Sequence, residues 1–163
     1  MISSDGVKVI APHLSGNVPE SEIHSILKAL IDDLLLKHRI RDFVSWYYTP
    51  MALPYTNHFK PIVTVYDCMD ELSGFKGAHQ DLLKLEDELF LVADIVFTGG
   101  MHLFEYKKDK HHNIYGFPSS IEREHFESGI NKSDPADQSH IPHPRVGFYG
   151  GIGERLNGEL LSG

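Results

Sequence analysis

Asp67 and Asp70 stand three residues apart, with Glu71 beside them, directly after the apolar run from Pro61 to Tyr66. A carboxylate closing a strand and a second opening the next turn can face one crevice, acting there as a general base or accepting hydrogen bonds from sugar hydroxyls. Plainer uses compete. Asp70 or Ser73 can cap a helix, and Asp67 can bond to backbone at the strand end. The spacing differs from Asp-x-Asp, so no magnesium site is expected.

Gly99 and Gly100 follow another apolar run, Ile95 to Phe97. A glycine pair lets backbone approach a ligand closely, and a helix beginning there would aim free N–H groups at an anion. A tight strand-to-helix turn needing positive φ explains the pair equally well. Ser119 and Ser120 offer hydroxyls after a third run, Asn113 to Phe117, either to a ligand or as caps. Tyr48 and Tyr55 border the loop that follows Trp46-Tyr47-Tyr48. Their rings have flat apolar faces and a polar tip, which suits stacking on a sugar or a lipid-linked acceptor, with core packing the competing account, above all for Trp46.

Histidine and cysteine add less. His111-His112 and the pair His140 and His143 lack a four-ligand set, and the single cysteine is remote from them, so no metal site is expected. His13 follows the first apolar run, where a neutral imidazole can act as a base or be an ordinary loop residue. Cys68 reads as a small buried hydrophobe rather than a nucleophile, since no histidine neighbours it. No cofactor is expected.

These groups need a frame. Val7 to Ala11, stopped by Pro12, reads as a buried strand, and Asn17-Val18-Pro19-Glu20 reads as a capping box opening a helix. Ile23, Ile26, Leu27, Leu30, Ile31, Leu34 and Leu35 fall on one face of that helix, with His38 and Arg39 in its last turn. Strands are expected over 43–48, 61–66, 95–97 and 113–117. Between them, Leu82, Leu85, Leu89 and Val92 predict a helix from Ala78 with Glu86, Asp87 and Glu88 on its wet side, and another helix runs from Met101 to Lys110. Alternation of this kind implies an α/β fold with a parallel sheet. In such sheets ligands bind beyond the carboxyl ends of the strands, so the three polar clusters would share one edge.

The bulk properties fit one globular domain, with 41% hydrophobic residues among 163. A formal charge of -8 with the 15 Lys and Arg scattered excludes a nucleic-acid partner, because phosphate binding needs a basic stripe. One cysteine fits a reducing compartment, and the cytoplasm is the expected location. No apolar run approaches the roughly 20 residues a bilayer needs, and Met1 to Asp5 lacks the regions of a signal peptide. The composition leaves room for peripheral membrane association through another subunit.

Ala93-Asp94-Ile95-Val96-Phe97-Thr98-Gly99-Gly100 and the turn Pro118-Ser119-Ser120-Ile121-Glu122 with Phe126 resemble the segment closing the N-terminal domain of two-domain (GT-B) glycosyltransferases. The strand ending Tyr66-Asp67 is similar to the family's strand ending in His-Asp, and Arg145-Val146-Gly147-Phe148-Tyr149-Gly150 to the strand opening its second domain. Trp46 to Met51, Tyr66 to Leu72, and Asp134 to Gln138 resemble a bacterial group-1 branch that includes teichuronic-acid-type enzymes. Ser119-Ser120 stands where the family has Asn-Gly.

The resemblance implies a Rossmann-like acceptor-side domain over 1–128, incomplete, a linker over 129–144, and the start of a donor-side domain over 145–163. It implies transfer of a sugar from a nucleotide diphosphate donor to a hydroxyl of a cell-surface glycan or lipid-linked precursor. Asp67 and Asp70 would be catalytic. Tyr48, Tyr55, Glu71, Ser119 and Ser120 would bind substrate, with Gly99 and Gly100 near the donor phosphates. A chain holding one such domain is expected to be inactive alone, and an unpaired strand at 145–149 favours a homodimer or aggregation unless it adds to the first domain's sheet. Two other readings stand beside this one: a non-enzymatic α/β module that binds a sugar or nucleotide, and a hydrolase or phosphatase with Asp67 as nucleophile.

Overall fold

Runs of β-branched and aromatic residues become the four parallel strands of one sheet, in the order β1 (Val44–Tyr47), β2 (Val63–Cys68), β3 (Ile95–Thr98) and β4 (Ile114–Gly116). The computed structural model describes residues 6–130, 132–145 and 147. The fold class is α/β, a Rossmann-like sheet with flanking helices. Among the described residues five α-helices accompany these strands: α1 (Glu20–Lys37), α2 (Leu53–Thr56), α3 (Leu82–Val92), α4 (Met101–Lys107) and α5 (Arg123–Glu127). The chain divides into two compact units, Met1–Ser120 and Ile121–Gly163.

The register sorts side chains onto two faces. Tyr47, Tyr66, Val96 and Ile114 stand side by side across the sheet, as do Cys68, Thr98 and Gly116 two residues on. This face carries the core, where Tyr47, Tyr66, Cys68 and Val96 pack with Leu53, Leu89, Phe90 and Ala93 from the helical layer. Gly116 belongs to the same packing, since a Cβ there would sit 3.0 Å from Phe104 of α4. Alternation puts Val44, Trp46, Asp67, Phe97 and Tyr115 on the opposite face. There Val44, Trp46 and Tyr115 are about half exposed. Parallel sheets are ordinarily covered on both faces, so this apolar face is unusual.

The Ala93-Asp94 pair has a structural job. The Asp94 carboxylate accepts the Thr64 N–H at 2.7 Å while its own N–H donates to the Thr64 carbonyl, which locks the start of β3 to β2.

Several expectations are corrected. Residues 7–11 form no strand beyond a single bridge at Lys8, and Val7, Val9 and Ile10 are exposed. An apolar run is only a weak strand signal, because strand formation depends on the packing context more than on intrinsic preference. The capping box is absent: Pro19, which has no side-chain acceptor, occupies the N-cap of α1, and Glu20 begins the helix. Helix α1 ends at Lys37, and Arg39 turns the chain with a left-handed φ of 55°. Its apolar stripe is only half covered, with no buried residue and Leu30 exposed. Helix α3 starts at Leu82 rather than Ala78, because the Leu82 and Asp81 N–H groups bond back to His79. Glu86 is not on the wet side of α3 but 2% exposed. It lies four residues after Leu82 and three before Leu89, on the apolar stripe itself.

The second unit, by itself, contains α5 and a 3₁₀ turn over Ala136–Gln138. Its described part includes an ion pair between the partly buried Arg145 and Asp134 at 3.0 Å. The strand expected over 145–149 falls on Val146 and residues 148–149, which lie outside the described residues.

Candidate functional site

At the carboxyl end of the sheet, on the face away from the helices, a cleft of about 430 Å³ opens between the ends of β2, β3 and β4. Trp46, Phe97 and Phe117 supply aromatic walls, and Asp67, Ser119 and Ser120 supply polar groups. The rings are mutually braced: Phe97 lies 5.6 Å from Trp46 and 5.3 Å edge-on from Phe117 between ring centroids. Asp67 lies inside β2, not beyond it, and its side chain joins this face by strand parity. Its Oδ2 accepts the indole N–H of Trp46 at 3.1 Å. Among the described residues its other oxygen has no hydrogen-bond partner.

The four strands run in sequential order, so their strand order never reverses. The cleft therefore sits on the open face instead of at a topological switch point.

Of the nine residues singled out by sequence, Asp67, Gly99, Ser119 and Ser120 line this cleft. Gly99 earns its place by packing: a Cβ there would lie 2.6 Å from the Met69 carbonyl oxygen, which is backbone and cannot swing aside. Positive φ is not the reason, since among the described glycines only Gly6 and Gly77 have it. Gly100 is extended, with open space where a Cβ would be. Gly99→Ala should therefore cost about 1–3 kcal/mol, as overpacking does, while Gly100→Ala is expected to be neutral. Equal urea midpoints for the two variants would contradict that assignment.

Tyr48 and Tyr55 line a separate cavity of about 390 Å³, with Ile31 of α1 and Phe59. Trp46 borders both cavities. Burial, with Tyr47 nearby, raises the pKa of Tyr55. Asp70 is exposed, and its carbonyl rather than its carboxylate is engaged, by the Leu72 N–H and weakly by Cys68 Sγ. His13 is exposed.

Glu71 turns away from the cleft, to the ammonium of Lys107 at 2.8 Å. Lys107, 1% exposed, also holds both oxygens of Glu86 at 2.8 Å. Burial opposes the charged forms of Glu71 and Lys107, but their pairing outweighs it, so the Glu71 pKa is lowered and that of Lys107 raised. Burial also pushes the Cys68 thiol up to about 11, which makes it inert. Phe97 and Phe117 of the cleft, and the Lys107 group beneath, escaped sequence reading. Parity along the strands would have placed Phe97 beside Asp67.

No family model, curated protein or solved structure matches the chain. Among the described residues no group of three or more His, Cys, Asp or Glu side chains is placed to hold a metal ion, and no helix is long and apolar enough to cross a membrane.

Proposed function

We infer that the first unit is the acceptor-binding half of a glycosyltransferase acting on a cell-surface glycan or lipid-linked precursor, with a nucleotide diphosphate sugar as donor. The sequence resemblance supplies the reaction class. The observation that carries the reading is the pairing, in one cleft, of three braced aromatic rings with a carboxylate and two serines. A pyranose has apolar C–H faces and a rim of hydroxyls. It needs flat rings for the one and hydrogen-bond partners for the other.

In this reading Trp46 stacks on the acceptor sugar, held in orientation by its indole N–H to Asp67. The second oxygen of Asp67 takes the proton of the acceptor hydroxyl as that oxygen attacks the donor's anomeric carbon and the nucleotide diphosphate leaves. Ser119 and Ser120 bind hydroxyls at the rim. Gly99 and Gly100 would adjoin the donor phosphates. Tyr48 and Tyr55 would hold a more distant part of the acceptor, in the neighbouring cavity that shares Trp46.

Trp46 is the single tryptophan of the chain, so its emission reports on the cleft and on the adjoining cavity that it also borders. Titration with hexose, hexuronic acid and N-acetylhexosamine oligosaccharides is expected to shift that emission saturably, at about millimolar concentration. Ser119→Ala should weaken the response. No shift with any of these sugars, in a protein shown to be folded, would remove the glycan reading. A binding module without catalysis would give the same titration but no transfer in the full enzyme.

A further inference from the structure

The lips of the cleft are two strand-end turns. One follows β2 and carries Met69, Asp70 and Glu71; the other follows β3 and carries Gly99 and Gly100, from which α4 departs at once. They touch closely at one point. The Gly99 N–H donates to the Cys68 carbonyl at 2.9 Å, with the Met69 carbonyl packed against the glycine where a Cβ would otherwise stand.

Beneath this point, on the helical face, α4 reaches back to the turn after β2 through Lys107. Its ammonium is shared between Glu86 of α3 and Glu71 of that turn. The two carboxylates are held differently. Glu86 is fully engaged: it accepts from Lys107 at both oxygens, from the Tyr66 hydroxyl at 2.8 Å and weakly from Cys68 Sγ. Glu71 Oε1 accepts the Ser73 hydroxyl, whereas Oε2 is buried without an aligned hydrogen bond. The contact of Oε2 with Lys107 is an ion pair at 2.8 Å. Glu86 alone would neutralise the ammonium, so Glu71 adds an excess negative charge to a buried place. Such an arrangement costs desolvation free energy, and its return is geometric.

We propose that Lys107 is the positioning residue of the cleft: by gripping Glu71 while anchored on Glu86, it clamps the turn after β2 against the turn after β3. The consequence for ligand binding rests on reading the cleft as a glycan site; the clamp itself does not.

Glu71→Gln tests it, because that side chain is about one-third exposed and glutamine keeps its shape while removing the charge that Lys107 holds. Hydrogen exchange followed by NMR should show the Gly99 amide exchanging about tenfold faster in the variant, with Leu89 and Val96 amides of the core unchanged. Rescue of Gly99 protection in Glu71→Asp would show that the charge at this position acts. Unchanged exchange at Gly99, or the same acceleration at all three amides, overturns the clamp. Should Glu71→Gln fail to fold, Ser73→Ala removes only the hydroxyl on Oε1 and carries the same comparison. In the folded variant, oligosaccharide affinity read from Trp46 emission should fall about fivefold, a change of the size that misplacing one contact produces. Unchanged affinity beside a loosened Gly99 would overturn the positioning role. Wild-type protein that binds no glycan would overturn the function proposed above and leave the clamp to be decided by exchange alone.

Discussion

Lys107→Ala is expected to lower the stability of the first unit by about 3–5 kcal/mol, enough to unfold much of it. The side chain is 1% exposed and its ammonium holds a carboxylate, Glu86, that is itself 2% exposed. Removing the lysine leaves that carboxylate without its counter-ion in a buried place. The Tyr66 hydroxyl and the Cys68 thiol remain as donors, but neither carries a charge. The double variant Lys107→Met with Glu86→Gln separates this cost from simple loss of packing. Glutamine can still accept from Tyr66, methionine fills the volume of the lysine stem, and Glu71 can turn to solvent. The double variant should therefore recover more than half of the loss. Urea unfolding followed by circular dichroism measures both; a single variant within about 1 kcal/mol of wild type would show the pair to be replaceable by water.

That network also shows where sequence reading stops. Strands β2, β3 and β4 were legible because Val63 to Tyr66, Ile95 to Phe97 and Asn113 to Phe117 are short, bounded and rich in β-branched and aromatic residues. Their parallel pairing followed from the helices between them. Glu86 was read as solvated because it sits in an acidic triplet, although its spacing from Leu82 and Leu89 places it on the buried stripe. Nothing local reveals its partner: Lys107 lies 21 residues away on another helix. Residues 7–11 failed in the opposite sense: their apolar pattern is real, yet it yields a single bridge at Lys8 and leaves Val7, Val9 and Ile10 exposed.

The candidate site divides along the same line. Asp67, Gly99 and the two serines were found because each lies in or just beyond the last residues of a strand, and strand ends of a parallel sheet meet at one edge. Glu71 was grouped with Asp67 by sequence proximity, yet the turn after Cys68 sends Glu71 to the helical face while strand parity puts Asp67 on the open one. Neighbours in sequence thus serve different layers of the fold.

Asp67→Asn carries the largest expected effect on activity. Asparagine keeps an oxygen that can accept the Trp46 indole N–H, now made at 3.1 Å, so the ring keeps its orientation and stability should change by about 1 kcal/mol or less. What is lost is the charge and the basicity. If the proposed function holds and Asp67 takes the acceptor proton, glycosyl transfer by a protein that joins this unit to a donor-binding domain should fall about 10²–10⁴-fold, the usual contribution of a general base. The fall should appear in kcat with little change in acceptor KM, because stacking on Trp46 and the serine contacts survive. Asp67→Ala supplies the contrast: it frees the indole as well, so it should raise KM in addition to lowering kcat. Transfer at the wild-type rate in Asp67→Asn, with Asp67→Ala impaired only in KM, would reduce Asp67 to a strut that holds Trp46 in place.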